Sequence, residues 1–381
     1  MNAVATCVAD SLMPLEQLLA EDLDTICRDA ADELARLSGA RVLVTGGGGF
    51  LGYYMVQSLL HWNRMHRGSA PIGVVVYENC LRGAPAWLEA LRREPGLELR
   101  AHDIVQPLPR DLGHVDWVLH AAGIASPIHY RARPLECIDA NVTGLRRLLD
   151  YAVEQAEAGV PLQGLVFFSS SEIYGDPVAD AIPTPETYRG NVSCTGPRAC
   201  YDEAKRFGET LCVTYADAKG VPVKIARPFN NYGPGLKISD GRVLPDFARD
   251  ILADRDIVML SDGSPTRTFC YVTDAIAGYY KVLVRGRPGE AYNIGIDKPE
   301  ISVAEVAKLM AGTARELFDY RGQVRLGRAQ EAAYLVDNPM RRCPVMDKAR
   351  DELGFDPHVP VDEGMRRSLV WYHHNPAAEE G

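Results

Sequence analysis

Residues Arg41 to Trp62 read RVLVTGGGGFLGYYMVQSLLHW. The stretch opens on a short β-prone run, passes through a series of glycines and continues with apolar residues at helical spacing. That order reads as a buried strand, a tight turn and a helix. Gly47, Gly49 and Gly52 satisfy G-x-G-x-x-G, while Gly46, Gly49 and Gly52 satisfy G-x-x-G-x-x-G. Both spacings answer one physical need: a sharp turn, backbone bare of side chains where a pyrophosphate approaches, and close contact between helix and strand.

Further strands are read outward from this unit in IGVVVYENC, WVLHAAG and GLVFFSSSE, separated by helical patterns such as NVTGLRRLLDYAVEQA and DEAKRFGETLCVTYADAKG. Alternation of this kind implies an α/β chain with a Rossmann-type, doubly wound parallel sheet, placed over residues 41–226. From about Arg227 the rhythm loosens into Pro- and Gly-punctuated segments, RPFNNYGPGLKISDGR and LSDGSPTRTFCYV among them. Residues 227–372 are therefore read as a smaller mixed α/β lobe, mainly substrate-binding, with part of it returning to the sheet domain. Ahead of the first strand, Leu15, Leu18, Leu19, Leu23, Ile26, Leu34 and Leu37 recur at helical spacing among acids. Residues 1–40 are expected to be an amphipathic helical extension that packs on the sheet domain or on a second subunit. The tail, 373–381, is expected to fray.

Bulk properties narrow the function. The chain of 381 residues carries a formal net charge of −10 with acids and bases interspersed, so no basic stripe is available for nucleic acid. No apolar run approaches the roughly 20 residues of a membrane span, and the first residues are acidic where a signal peptide is basic. A soluble, cytoplasmic protein is expected. The nine cysteines are scattered, none in a Cys-x-x-Cys pair, and no His-Glu-x-x-His motif occurs. Neither a disulfide framework nor a metal site is expected.

Glu78 ends the second strand 26 residues past Gly52, about where a carboxylate accepts hydrogen bonds from an adenosine ribose diol. An acid there repels a 2′-phosphate and favours NAD over NADP, with Arg82 close enough to blur the preference. Asp103, in AHDIVQPL, is placed as an acceptor at the adenine edge. In GPRACYDEAKR, Tyr201 and Lys205 stand four residues apart and so share a helix face. An ammonium that close is expected to lower the phenol by roughly one to three pKa units, making it a base for a hydroxyl proton. The serine cluster in FFSSSEIYG, at the end of a strand, supplies a hydroxyl partner.

The glycine loop, the serine cluster and Tyr-x-x-x-Lys together resemble the extended short-chain dehydrogenase/reductase superfamily of nucleotide-sugar epimerases, dehydratases and decarboxylases, from Arg41 to about Tyr372. The resemblance implies Tyr201 as general base, Lys205 as its electrostatic partner and Ser170 as the hydroxyl sharing the substrate proton. It also implies NAD contacts from Gly46, Gly49, Phe50, Leu51, Gly52, Glu78, Asn79, Asp103, Ile104, Ala121, Tyr201, Lys205 and Pro228. Ser171 followed by Glu172 is similar to the Ser-Glu arrangement of UDP-glucuronate decarboxylases, whereas 4,6-dehydratases carry Asp-Glu there. HAAGIASPIHY, RPFNNYGPGLKISDGRV and SPTRTFCYVTDAI are also similar to that family. They imply Ser126, Asn230, Arg242, Arg267 and Tyr271 as substrate contacts, with Arg267 also acting on the anionic groups during the reaction, and a homodimer.

The implied chemistry oxidises C4 of a uronic acid, so that the new ketone stands β to the C6 carboxylate and accepts its electrons as carbon dioxide leaves. Glu172 is expected to orient a water or the ring near C5. A nucleotide-uronate 4-epimerase, a sugar 4,6-dehydratase and, from another class, a non-catalytic NAD-binding regulator are the alternatives. Tyr53 and Tyr54 depart from the small residue and histidine usual after this glycine loop and are expected to alter the cofactor pocket; Cys270 departs from a polar residue beside the sugar.

Overall fold

The structure, a computed structural model, describes residues 12–81, 83–327 and 339–375. Strand β1 (Arg41–Thr45) sits inside a seven-stranded parallel sheet. On one side lie β2 (Gly73–Glu78) and β3 (Leu97–Ala101); on the other lie β4 (Trp117–His120), β5 (Gly164–Phe168), β6 (Val223–Pro228) and finally the strand Ala291–Ile294. The inner strands are continuous apolar runs because both faces of the sheet are covered. Successive side chains of β1 enter different cores: Val42 and Val44 join the helix Phe50–Met65 and the helix Val272–Arg285, while Leu43 joins the helices Leu145–Glu157 and Ala199–Lys219.

Strand order reverses between β1 and β4, and in an open parallel sheet the crevice beyond the strand ends at that reversal is the natural ligand site. The segment after Arg227 does not stay apart from the sheet, since Val272–Arg285 packs on it and Ala291–Ile294 extends it. A small three-stranded sheet of Glu300–Ser302, Thr266–Thr268 and Arg341–Arg342 sets Arg342 in register with Arg267. Two guanidinium-bearing residues distant in sequence thereby become neighbours.

The N-terminal extension forms two helices, Leu15–Asp29 and Ala31–Leu37, broken at Ala30. Leu18, Ile26, Leu34 and Leu37 are fully buried. They cover the helical layer made by Phe50–Met65 and Val272–Arg285, so the extension packs on the sheet domain of its own chain. Its buried Asp22 accepts hydrogen bonds from the phenols of Tyr54 and Tyr271, the latter at 2.8 Å, and pairs with Arg367 at 3.1 Å. At the other end, His373 and His374 complete the helix Val361–His374, Asn375 caps it, and the remaining tail residues, 376–381, lie outside the described residues.

Candidate active site

A cleft of about 720 Å³ opens at the carboxyl ends of β1, β2, β4 and β5. The turn after β1 forms its floor. Gly46 has φ +71°, and a β-carbon there would lie 2.6 Å from the Ala122 backbone; one on Gly52 would lie 2.2 Å from the Gly47 carbonyl oxygen. A side chain at Gly46 would collide with the backbone that follows β4, and one at Gly52 would push the helix off the glycine turn. The helix Phe50–Met65 thus begins with its first-turn N–H groups facing the cleft and no acceptor within the helix. Glu78 closes the turn by accepting from the Gly48 N–H at 2.9 Å and the Cys80 N–H at 3.1 Å. Asp103 accepts from the Val105 N–H at 3.1 Å and the Asn79 amide at 3.3 Å. Asn79, Ile104, Ala121 and Pro228 line the same cleft, and Arg82 falls outside the described residues. A bare glycine backbone and a free helix N-terminus next to two acids fit a dinucleotide.

Across the cleft, β5 delivers Ser169, Ser170 and Ser171, and the helix Ala199–Lys219 presents Tyr201 and Lys205. The Lys205 ammonium donates to the Phe168 carbonyl at 2.5 Å and lies 5.8 Å from the Tyr201 ring centre. Tyr130 stacks on Tyr201 with ring centres 5.2 Å apart and 9° between planes. Ser170 hydrogen-bonds the Tyr201 phenol and accepts from the Glu172 N–H at 3.1 Å. The expected lowering of the phenol is not what this environment produces. Burial raises Tyr201 above the ordinary tyrosine range, with Glu172 adding to the rise and Ser170 and Arg242 opposing it. Burial also brings Lys205 down to about 8, against smaller opposing effects of Cys137, Cys212 and Glu209. The pair shares a face as its spacing predicts, and burial is the leading influence on both groups.

Glu172 lies at the centre of a charge cluster. Both its oxygens accept from Arg342, each at 2.6 Å, and Arg198 pairs with the same carboxylate. Burial alone would raise this acid; Arg198 and Arg342 outweigh it and hold Glu172 well below the usual carboxylate range. Asp202, 3.5 Å from Arg198, moves the other way through burial and the neighbouring charge of Glu172. Arg267 donates to the Pro339 carbonyl at 2.6 Å and the Thr266 carbonyl at 2.7 Å, and lines the cleft. Burial first, and then Arg342, lower it to about 9, which leaves it cationic at neutral pH.

The remaining expected contacts divide. Ser126, Asn230 and Arg242 line the cleft; Ser126 donates to the Asp240 carbonyl at 2.8 Å, Asn230 donates to the Thr268 carbonyl at 2.9 Å, and Arg242 pairs with Asp240 at 3.0 Å. Tyr271 does not join them. Its phenol turns into the core to Asp22, because the chain leaves the Thr266–Thr268 strand before Cys270–Tyr271 pairs with Asn231–Tyr232. Tyr53 and Tyr54 also face the core, Tyr53 accepting from the Trp371 indole at 3.3 Å and Tyr54 donating to Asp22, so neither alters the cleft; Cys270 is buried in the same core. Sequence reasoning missed Arg198 and Arg342. Arg198 precedes Tyr201 within the very stretch singled out, and the helix register carries that signal. Arg342 stands in NPMRRCPV, where nothing local marks it.

Residues 42–295 match the NAD dependent epimerase/dehydratase family. The chain belongs to that family. It is 35% identical over 325 residues to UDP-glucuronic acid decarboxylase 3 of Arabidopsis thaliana, covering 85% of this chain and 86% of the relative. To UDP-glucuronic acid decarboxylase 1 of Xenopus tropicalis it is 34% identical over 333 residues, 87% and 72% of the two chains. Among solved structures it is similar to DesIV, a dTDP-glucose 4,6-dehydratase from Streptomyces venezuelae solved with NAD bound, at TM-score 0.75 and 26% identity over 88% of this chain and 98% of that one. The family is NAD dependent, and the glycine turn with its free helix N-terminus is the part of the cleft that fits this group. No helix among the described residues is long and apolar enough to cross a membrane.

Proposed function

We propose that this protein decarboxylates UDP-glucuronate to UDP-xylose through a 4-keto sugar, with NAD recycled within each turnover. The observation that carries the reading is the charge cluster: Arg198, Arg342 and Arg267 surround one ionised carboxylate, Glu172, beside the Tyr201–Ser170 pair. Buried cation in excess of buried anion calls for an anionic substrate group, and a uronate carboxylate supplies it where a neutral hexose does not. When bound, NAD supplies the hydride acceptor at C4 and then the donor that restores the alcohol. Lys205 stabilises Tyr201 as the phenolate, which takes the C4 hydroxyl proton, steadied by Ser170, and so becomes the neutral phenol. The arginines hold the C6 carboxylate next to the forming ketone until carbon dioxide leaves, and water then protonates C5. Glu172, with both oxygens occupied, orients Arg198 and Arg342 and does not itself carry the proton; Ser171 fills the place where a dehydratase has its acid.

In this reading residues 41–226 bind the dinucleotide through Gly46, Gly49, Phe50, Leu51, Gly52, Glu78, Asn79, Asp103, Ile104, Ala121 and Pro228. Residues 227–372 contribute mainly substrate contacts, from Asn230, Arg242 and Arg267. The protein acts as a homodimer. Leu135, 71% exposed, and Ile138 lie on a helix packed against Ala199–Lys219, which itself exposes Phe207 and Val213. Exposed apolar side chains on two helices packed together suit a second copy of the chain. The eight described cysteines are all free thiols, in keeping with a reducing cytoplasm.

Incubation with UDP-glucuronate and NAD, followed by mass analysis, tests the activity. Loss of carbon dioxide supports decarboxylation. An isomer of unchanged mass would make it an epimerase, loss of water a dehydratase, and no turnover across several nucleotide sugars a regulator. Light scattering of Phe207→Glu beside the unaltered protein tests the dimer, which the substitution should dissociate.

A further inference from the structure

Asp29, Asp274 and His358 are far apart in sequence, yet one ligand atom from each lies within 4.8 Å of the other two. Asp29 is the last residue of the helix Leu15–Asp29, Asp274 stands in the first turn of Val272–Arg285, and His358 precedes the helix Val361–His374. None of the three lines the catalytic cleft. The junction they form joins the N-terminal extension to the body of the protein.

Asp274 is 2% exposed. Its Oδ2 is satisfied by the backbone N–H groups of His358 at 3.2 Å and Val359 at 3.0 Å, whereas its Oδ1 is buried, has no hydrogen-bond partner and points at His358 Nδ1, 3.7 Å away. A bare buried carboxylate oxygen is a costly thing to leave without a cation. On the other side of the ring, His358 Nε2 is 3.5 Å from Asp29 Oδ2. Asp29 closes a helix at its negative end, which worsens the local charge balance, and among the described residues its other ion-pair partner is the adjacent Arg28, whose Nε lies 3.0 Å from Oδ1.

We propose that Asp29, Asp274 and His358 form a binding site for one divalent transition-metal ion, Zn²⁺ foremost, which fastens the N-terminal extension to the body of the protein. An imidazole with two carboxylates is the mixed nitrogen and oxygen set that zinc accepts, while Mg²⁺ and Ca²⁺ call for oxygen alone. Tetrahedral ligands at about 2.0–2.2 Å from zinc stand roughly 3.3–3.6 Å from each other. With one ligand atom from each residue, the three atoms lie within 4.8 Å of one another, wider than that range, and draw together on the ion. Ligation uses a single ring nitrogen, so His358 turns from facing one acid with each nitrogen to facing both with one. Its 49% exposed side chain has room to turn and leaves the fourth position to water. The sequence offered no sign of such a site because each ligand comes from a different element and no two share a motif.

The full chain, freed of metal by a chelator and dialysed, is titrated with Zn²⁺ by calorimetry and followed by thermal melting. Saturable one-to-one binding that raises the melting temperature is expected, with binding weakened at least about 100-fold in His358→Ala, a half-exposed position that tolerates truncation. Asp29→Asn is a second variant with the same expected loss. Co²⁺ serves as the spectroscopic probe: visible d–d bands without thiolate charge transfer support these three ligands and exclude the cysteines. Zinc binding that survives His358→Ala, a thiolate spectrum, or no saturable binding overturns the proposal and leaves His358 as an imidazolium bridging two acids. None of these readouts depends on the reaction the cleft performs.

Discussion

Replacing Lys205 by methionine removes the ammonium and keeps most of the stem. Its Nζ stands 5.8 Å from the Tyr201 ring centre. At that separation and an effective dielectric of about 20, a unit charge stabilises a phenolate by about 3 kcal/mol. That energy corresponds to about 2 pKa units. Because burial already raises the phenol, little of it is ionised at neutral pH and a further rise cuts the reactive phenolate in proportion. In steady-state assays of UDP-glucuronate consumption across pH, the acidic limb of kcat should move up by about 2 units in Lys205→Met. At pH 7 kcat should fall on the order of 100-fold, with little change in KM. The unaltered enzyme should also lose activity above pH 8, where Lys205 sheds its proton, and the variant should lack that limb. A variant with kcat within threefold of the unaltered enzyme and an unmoved profile would refute the assignment of the ammonium as the phenolate's partner.

Arg342→Ala leaves Glu172 buried with Arg198 as its remaining direct ion-pair partner; breaking such a pair should cost about 3–5 kcal/mol in urea denaturation. Turnover should drop at least about 100-fold, and lysine should not restore it because a point charge does not replace the forked contact with both carboxylate oxygens. Asp22→Ala strips the acceptor from two buried phenols at about 1–3 kcal/mol each, whereas Asp22→Asn keeps one oxygen and should cost less. Burial raises Asp22 from 3.8 to about 6, opposed by Tyr54, Tyr271 and Arg367. The folded state therefore holds this proton more tightly than the unfolded state, and the stability it lends is complete below pH 3.8 and lost as pH rises through 6. Denaturation curves should accordingly favour Asp22→Asn over the unaltered chain progressively more from pH 4 to pH 7, and equal pH dependence in the two proteins would contradict the raised carboxyl. Glu78→Lys should weaken NAD binding in calorimetry, since the acid that closes the glycine turn by accepting from Gly48 and Cys80 is replaced by a donor that disrupts it; unchanged affinity would remove Glu78 from the cofactor site.

What could be read in advance follows from how far each interaction reaches along the chain. β1 and its glycine turn were legible because a parallel strand covered on both faces has to be apolar throughout, and because the turn allows no β-carbon at Gly46 or Gly52. Tyr201 and Lys205 were legible because a helix fixes the relation of residues four apart. Tyr271 shows where that kind of reasoning stops: it has the same parity as Arg267, and an unbroken strand would have turned both to the sugar. The chain instead leaves one short strand after Thr268 and joins another at Cys270, so parity does not carry across the gap and the phenol faces Asp22. The raised phenol of Tyr201 lies beyond the same reasoning: spacing gives the distance to a cation, but desolvation depends on everything packed around the ring, including Tyr130 from another segment. Arg342 required the register of a three-stranded sheet before it could be seen at all. The Tyr201–Lys205 pair is thus written locally, and the arginine cluster proposed to select an anionic sugar is written only in tertiary pairing; on that proposal, substitutions along Thr266–Thr268 or Arg341–Arg342 that shift register should alter substrate choice while sparing the dinucleotide site.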